Sequence, residues 1–262
     1  MYANIYSSLQ LREIFHIEFL RFFGRKAKAE IYALKGGTNL RFFFKSFRYS
    51  EDMDMDVRNM GVAVLQDIVM NIFESRQLLN NMKPFGIDRI VPPDMLKAKQ
   101  TETTQRFKIH LLTSAGDDLF TKIEFSRRPF SGNAIVQAVS DKILRQYKMA
   151  PLLISHYDIG SAVAQKINAL ASRSVIQARD IFDIFVLCTQ YEPDQKNGIG
   201  SDAAKISKAR NNLFDVGFEQ FRDTVVSYLS EDDQNAYDSP SVWDDIKLKV
   251  VNFIDMSRRD NV

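Results

Sequence analysis

Leu34-Lys35-Gly36-Gly37-Thr38-Asn39 and Ser50-Glu51-Asp52-Met53-Asp54-Met55-Asp56 are the two stretches that decide the fold of this chain. The first predicts a strand that runs into a glycine turn, and the turn opens a helix capped by Thr38. Thirteen residues separate Thr38 from Asp52, where the chain returns as a second strand. Neighbouring side chains of a strand point to opposite faces. The three aspartates therefore share one face, and the apolar residues between them face the core.

The aspartates and the glycine turn together predict a site for a metal-bound phosphate. Three carboxylates on one face repel each other, and a divalent cation relieves the repulsion. Mg²⁺ is commonly held by one or two carboxylates together with substrate phosphates and water. The Gly36-Gly37 turn lets backbone amides approach a phosphate, and the helix start at Thr38 adds free N–H groups. The combination indicates nucleotidyl or phosphoryl transfer, and a plain turn beside an acidic edge strand is the alternative.

The same stretches carry a family resemblance. Gly-Gly followed by Asp-hydrophobic-Asp is typical of the DNA polymerase β-like nucleotidyltransferase superfamily, and residues 35–38 with 48–54 resemble the AbiEii/AbiGii nucleotidyltransferase toxins. In that family a serine precedes the Asp-x-Asp pair by two residues, as Ser50 does here. The resemblance implies that Asp52 and Asp54 hold Mg²⁺ or Mn²⁺ and that Gly36, Gly37, Thr38 and Ser50 contact an NTP. Asp54 and Asp56 are the alternative metal pair.

Composition indicates an ordinary folded protein. The chain has 262 residues, of which 45% are hydrophobic and 26% charged, and this length suffices for a buried core and two lobes. The net charge of +2 does not by itself indicate nucleic acid. The single cysteine excludes an internal disulfide and a cysteine-rich zinc site. Charged residues interrupt residues 1–24, and no apolar run reaches membrane-spanning length, so a cytoplasmic protein without a signal peptide is expected.

Apolar spacing predicts the main elements around these motifs. Residues 8–23 and 58–80 have the periodicity of helices, and His16 on the first is expected to be partly buried rather than a ligand. Residues 83–94 are rich in proline and glycine and predict a loop. Residues 106–112 and 119–126 predict a hairpin. Further helices are predicted over residues 159–171, 203–212, 215–229 and 241–256.

The second hairpin strand contains Lys122 and Glu124, which share a face by the two-residue period. A polymerase-type site needs a third carboxylate from a neighbouring strand, either as a metal ligand or as the base for an attacking hydroxyl. Glu124 stands in the Lys-hydrophobic-acid context of the AbiEii toxins, where aspartate is more common. The resemblance thus implies a catalytic or metal-binding Glu124, and a cross-strand ion pair is the alternative.

A third motif lies in residues 165–184. The types at Lys166, Ala169, Leu170 and Arg173 match a Lys-x-x-Ala-Leu-x-x-Arg segment of the same toxins, and residues 179–183 match Arg-Asp-x-x-Asp. A lysine facing a triphosphate neutralises charge and orients the leaving group, which is the role expected of Lys166. Arg173 is expected to brace the phosphates or to pair with an acid. Asp180 is expected to fix Lys166, Arg173 or the nucleotide, and two helices tied by ion pairs are the alternative.

These motifs together predict an α+β fold. Residues 1–150 are expected to form a nucleotidyltransferase-fold mixed sheet with flanking helices, and residues 151–262 a C-terminal helical lobe that completes the active-site cleft. The resemblance implies a metal-dependent toxin of a bacterial toxin–antitoxin or phage-defence pair, with a cognate antitoxin as partner. Such an enzyme moves a nucleotide from an NTP to an acceptor and releases pyrophosphate. Some family members act on the tRNA 3′ end, so tRNA is the expected acceptor. The alternatives are transfer to a protein or small molecule and a non-catalytic nucleotide- or RNA-binding module.

Overall fold

The chain forms two compact units in the computed structural model, which describes residues 6–95, 100–191 and 203–259. The first unit consists of Met1–Phe43, Tyr49–Phe130 and Ala134–Tyr157. The second consists of Phe44–Arg48, Ser131–Asn133 and Asp158–Val262.

The first unit is built on a mixed sheet. Its strands are β1 (Tyr32–Lys35), β2 (Asp52–Val57), β3 (Ile87–Val91), β4 (Thr104–Thr113), β5 (Asp118–Ser126), β6 (Ala134–Ala138) and β7 (Leu153–Tyr157). They form a seven-stranded sheet in the order β3-β4-β5-β2-β1-β7-β6. The strand that carries the aspartates, β2, is central, because it pairs antiparallel with β1 and parallel with β5. The predicted α+β class with a mixed sheet is confirmed.

Helices accompany the sheet and make up most of the second unit. Those of the first unit are α1 (Ser8–Lys26), α2 (Gly36–Phe43), α3 (Val62–Phe73), α4 (Arg76–Met82) and α5 (Asp141–Gln146). Those of the second are α6 (Ile159–Ser172), α7 (Ala178–Cys188), α8 (Ala203–Asn212), α9 (Phe218–Thr224), α10 (Glu231–Tyr237) and α11 (Pro240–Arg259). None of the helices in the described ranges has the length and apolar character needed to cross a membrane.

The apolar face of the sheet packs on α1. Met53 and Met55 of β2 are fully buried, as the alternation along this strand predicts. Phe23 of α1 lies 5.4 Å from Phe125 of β5 between ring centroids, and Phe19 lies 5.5 Å from Phe73 of α3. Because one face of the sheet is occupied by this core, the aspartates of β2 are held on the opposite face.

Three sequence predictions differ from the observed elements. The helix expected over residues 58–80 is two helices, because the Ser75 hydroxyl accepts a hydrogen bond from the Leu78 amide at 3.4 Å and starts α4. The loop expected over residues 83–94 contains β3, which pairs antiparallel with β4. The helix expected over residues 215–229 is divided, with α9 covering only its middle part.

His16 is more deeply buried than its sequence position predicts. Only 1% of the residue is exposed, and its Nε2 lies 2.9 Å from the Thr121 hydroxyl. That hydroxyl donates its proton to the Glu51 carbonyl at 2.6 Å, so Nε2 of His16 must carry the proton it donates to Thr121. Burial lowers the pKa of His16 to about 4, and the nearby Asp52 offsets this lowering only in part.

We expect the free energy of unfolding to fall as the pH decreases from about 6.5 to about 4. The unfolded chain protonates His16 near its ordinary pKa, whereas the folded chain protonates it only near pH 4. The unfolded state therefore binds more protons in this window, and stability of about 3 kcal/mol is lost as the pH falls. Urea unfolding between pH 7.5 and 4 measures this. His16→Gln keeps an N–H donor and does not titrate, so its stability should vary less; an equal pH dependence of the two proteins would contradict the assignment.

Candidate active site

Gly36 lies directly against Asp54. β1 ends at Lys35 and α2 begins at Gly36, whose φ of +70° is in the left-handed region that favours glycine. A Cβ atom at this position would lie 3.0 Å from Oδ2 of Asp54. The position therefore requires glycine both for its backbone conformation and for the close approach of the carboxylate.

Thr38 is not the helix cap that the sequence predicted. The helix begins two residues earlier, at Gly36, so Thr38 lies inside its first turn. The buried Thr38 hydroxyl donates to the Asp52 carbonyl oxygen at 2.9 Å, and the Ser50 hydroxyl donates to the same oxygen at 2.8 Å. Both hydroxyls thus fix the start of β2, and phosphate contacts from these residues would have to come from their backbone amides.

On the polar face of the sheet, carboxylates of β2 and β5 pair with cations of neighbouring strands. The parallel register of β2 and β5 sets Asp54 beside Glu124 and Asp52 beside Lys122. The Nζ of Lys122 lies 2.9 Å from Oδ2 of Asp52. Arg106, opposite Glu124 in the β4–β5 hairpin, forms an ion pair with it. The remaining acid, Asp56, pairs with Lys35 at 2.5 Å.

Asp54 is the carboxylate of this set that lacks a counter-ion. In the described part of the chain its side chain makes no ion pair and no hydrogen bond. Burial and the neighbouring Glu124 raise the pKa of Asp54, although Lys35 and Lys122 act in the opposite direction. A cation bound beside Asp54 would therefore stabilise its charged form.

Asp56 differs from Asp54 because both its oxygens are occupied. Asp56 is only 2% exposed. Its Oδ1 accepts from Nζ of Lys35 at 2.5 Å, and its Oδ2 accepts from the Tyr157 hydroxyl at 2.6 Å. This occupancy favours Asp52 and Asp54 as the metal pair over Asp54 and Asp56.

The second unit holds a buried ion network. Nζ of Lys166 on α6 lies 2.6 Å from Oδ2 of Asp183 and 3.1 Å from Oδ1 of Asp180, both on α7. Arg173 lies 3.0 Å from Oδ2 of Asp180, and Arg48 contacts Asp183 at 3.1 Å. Both aspartates are completely buried. The helix predicted over residues 159–171 is observed as α6, which ends at Ser172, directly before Arg173.

The network favours the charged forms of Lys166 and Asp183. Burial by itself would lower the pKa of Lys166, but Asp183 and Asp180 outweigh it and the pKa is raised. Burial would likewise raise the pKa of Asp183, but Arg48 and Lys166 outweigh it and the pKa is lowered. The structure therefore brings together the three residues that the sequence predicted for this site, Lys166, Arg173 and Asp180. Asp180 pairs with both of the cations.

Removing the lysine should destabilise the second unit. In Lys166→Met, Asp180 and Asp183 remain buried with fewer partners, and the loss of a partner from such a pair costs about 3–5 kcal/mol. Denaturant unfolding followed by circular dichroism measures this. The control is Lys205→Met, which removes an exposed lysine of α8 and should change the free energy of unfolding by less than about 0.5 kcal/mol. Equal stabilities for the two variants would argue against the network.

Comparison with known proteins decides the family. The family described as "Nucleotidyl transferase AbiEii toxin, Type IV TA system" matches residues 18–255. The chain belongs to this family. It is therefore a nucleotidyltransferase toxin of a type IV toxin–antitoxin system, and the family implies an antitoxin partner and an NTP substrate. No curated protein sequence matches the chain.

Solved structures agree with this assignment at the level of the fold. The AbiEii-family chain is similar to MenT4, a nucleotidyltransferase toxin from Mycobacterium tuberculosis, with a TM-score of 0.60 and 17% identity over 97% of this chain and 87% of that one. Other solved structures match less well, with TM-scores below 0.5. JHP933 from Helicobacter pylori matches with a TM-score of 0.48 and 18% identity, covering 95% and 89% of the two chains. An antigenic nucleotidyltransferase-like protein from Paracoccidioides brasiliensis matches with a TM-score of 0.47 and 12% identity, covering 79% and 88%.

A divalent cation, which nucleotidyltransferases generally use, fits the oxygen donors of the AbiEii-family site. Among the described residues, no three His, Cys, Asp or Glu side chains are placed to hold a metal ion by themselves. Asp52 and Asp54 offer two carboxylates, the usual protein share of a Mg²⁺ site completed by phosphates and water. A cation there would relieve the repulsion from Glu124 and Asp52 that, together with burial, raises the pKa of Asp54.

Sequence reasoning missed three residues that form ion pairs or hydrogen bonds with acidic side chains: Arg106, Arg48 and Tyr157. Counting back from the predicted hairpin turn would have found Arg106, because the register that pairs Leu112 with Asp118 also pairs Arg106 with Glu124. Arg48 stands inside the family motif, but no spacing rule links it to Asp183. Tyr157 reaches Asp56 across the sheet, and such a long-range contact leaves no local pattern in the sequence.

Proposed function

We propose that this AbiEii-family protein transfers a nucleotide from an NTP to tRNA in the cytoplasm, with Mg²⁺ held by Asp52 and Asp54. One observation carries the proposal: an ideal Cβ on the left-handed Gly36 would lie 3.0 Å from the Asp54 carboxylate, which has no counter-ion among the residues that the structure describes. Bare backbone amides beside an unpaired acid suit a triphosphate and its cation. Mn²⁺ has the same ligand preference and is expected to substitute.

The residues of the first unit have distinct roles in this reaction. The amides of Gly36 and Gly37 would bind phosphate oxygens of the NTP at the start of α2. Glu124, one strand away from Asp54, would either take the proton of the attacking hydroxyl or join the metal ligands. A bound divalent cation supplies charge neutralisation for the α-phosphate and the leaving pyrophosphate.

The residues of the second unit keep the roles expected from the family motif. Lys166 would neutralise negative charge on the triphosphate, Arg173 would assist it, and Asp180 would hold both cations in place. The ion pairs of Lys166 and Arg173 with the buried Asp180 support the positioning part of this proposal. That the lobe over residues 151–262 completes the active-site cleft stays a prediction.

The acceptor is tested by incubating the protein with each α-³²P-labelled NTP, Mg²⁺, total tRNA and, separately, a protein fraction. We expect label on tRNA with the wild type and none with Asp54→Ala. Label found only on protein would replace the tRNA proposal by protein nucleotidylation. Growth arrest by Asp54→Ala equal to that by the wild type would remove catalysis from the account and leave a binding module.

A further inference from the structure

The ion pairs on the polar face of the sheet differ in how firmly they are held. The side chains of Lys122 and Asp52 are 25% and 37% exposed, and those of Arg106 and Glu124 are 40% and 23% exposed. Ion pairs with this much exposure contribute little to stability and open readily.

The third pair is of a different kind. The Lys35 side chain is 28% exposed, but the Asp56 side chain is only 3% exposed and also accepts a hydrogen bond from Tyr157. Taking the cation away from such a buried carboxylate is strongly unfavourable. Of the three ion pairs, those between Lys122 and Asp52 and between Arg106 and Glu124 are therefore the ones that a bound ligand can separate.

The two releasable acids flank Asp54. Asp52 precedes it on the same face of β2, and Glu124 lies beside it in the parallel register of β5. In the described part of the chain these carboxylates do not form a three-ligand metal cluster, and Asp52 and Glu124 are each paired with a cation. A divalent cation at Asp54 would therefore compete with these two side chains.

We infer that Lys122 and Arg106 are resident counter-ions, which hold Asp52 and Glu124 until a metal–NTP complex arrives and then bind its phosphate oxygens. This inference rests on the proposed function, because it concerns the same site. Charge would be balanced in this exchange. The metal ion would bind the carboxylates of Asp52 and Glu124, and the released Lys122 and Arg106 would pair with the negative phosphates of the NTP. Arginine and lysine are both suited to phosphate, arginine as a bidentate donor and lysine as a point charge.

The exchange predicts opposite effects on two ligands, which a purely structural role would not produce. Without nucleotide, Lys122→Met and Arg106→Gln should each bind Mn²⁺ about 2- to 5-fold more tightly than the wild type, because a competing cation is gone. With Mn²⁺ present, each should bind an α,β-methylene NTP about 10-fold or more weakly, because a charged hydrogen bond to phosphate is lost.

Lys108→Met is the matched control. Lys108 lies directly opposite Lys122 on β4, is exposed, and has no ion pair in the part of the chain that the structure describes. The variant carries the same charge change, so its Mn²⁺ and nucleotide affinities should both stay within about 2-fold of the wild type.

The experiment is Mn²⁺ titration by electron paramagnetic resonance on the full chain, followed by equilibrium dialysis of the α,β-methylene analogues of the four NTPs. Tighter Mn²⁺ binding with weaker nucleotide binding in Lys122→Met and Arg106→Gln, but not in Lys108→Met, supports the inference. Unchanged or weaker Mn²⁺ binding in both, or unchanged nucleotide binding, overturns it while the proposed function stands. A wild type that binds no Mn²⁺ and no analogue overturns the proposed function as well.

Discussion

Asp54→Asn should lower the rate of nucleotide transfer on the order of 10²- to 10³-fold, because it removes a charged ligand from the proposed site of the metal-bound phosphate. The same change should leave the thermal midpoint unchanged or raise it. In the wild type, burial and the neighbouring Glu124 disfavour the charged form of Asp54, and an amide of the same shape is free of that penalty. Loss of activity without loss of stability is typical of a residue kept for function.

Asp56→Asn provides the control for this prediction. Asp56 is buried and bonded to Lys35 and Tyr157, so losing its charge should lower the free energy of unfolding by about 1–3 kcal/mol. Labelled-NTP transfer and thermal unfolding of both variants measure the contrast. A destabilised Asp54→Asn, or one that retains wild-type activity, would show that Asp54 is structural.

Gly36→Ala should reduce activity about 100-fold, the effect of displacing a catalytic group by about an ångström. The new Cβ would lie 3.0 Å from Oδ2 of Asp54, so either the carboxylate or the start of α2 must shift. The φ of +70° adds strain of about 1–2 kcal/mol for an L side chain.

Gly116→Ala separates the two effects. Gly116 also has a positive φ, of +94°, but a Cβ there would meet no atom of the described residues within 4 Å. Both variants should lose a similar amount of stability in urea unfolding, and only Gly36→Ala should lose nucleotide transfer. Equal activities of the two alanine variants would mean that the contact between Gly36 and Asp54 is not functional.

Local rules predicted the centre of the fold well. The alternation along residues 52–57 predicted that the apolar side chains of β2 face the core, since a strand offers only two faces. It did not predict that Asp56, on the other face, is buried as well. The glycine turn was predicted as well, because the left-handed backbone that glycine favours at position 36 is a local property of the sequence. The helix start was misplaced by two residues, because Thr38 is also a good cap and its hydroxyl is used instead for Asp52.

Pairing across the sheet was harder to predict. β3 and β6 are short and flanked by proline- or glycine-containing segments, and their pairing with β4 and β7 depends on contacts far along the chain. The counter-ions were missed for a related reason. Lys35 and Lys122 stand inside the predicted motifs, but the acid that each of them and Arg106 pairs with is set by strand register rather than by local sequence. The motifs thus predicted the acidic residues, whereas the pairing of the strands determines which cation lies beside each of them.

The most direct test of the central claim is Mg²⁺-dependent NTP binding, measured by equilibrium dialysis of labelled α,β-methylene NTPs with and without EDTA. The glycine turn and the carboxylates of Asp52 and Asp54 together bind a metal–triphosphate complex in this account. It predicts that the wild type binds an analogue only with Mg²⁺ and that Asp52→Asn and Asp54→Asn each lose at least about 10-fold in affinity. Nucleotide binding that is equally tight in EDTA and in both variants would contradict it.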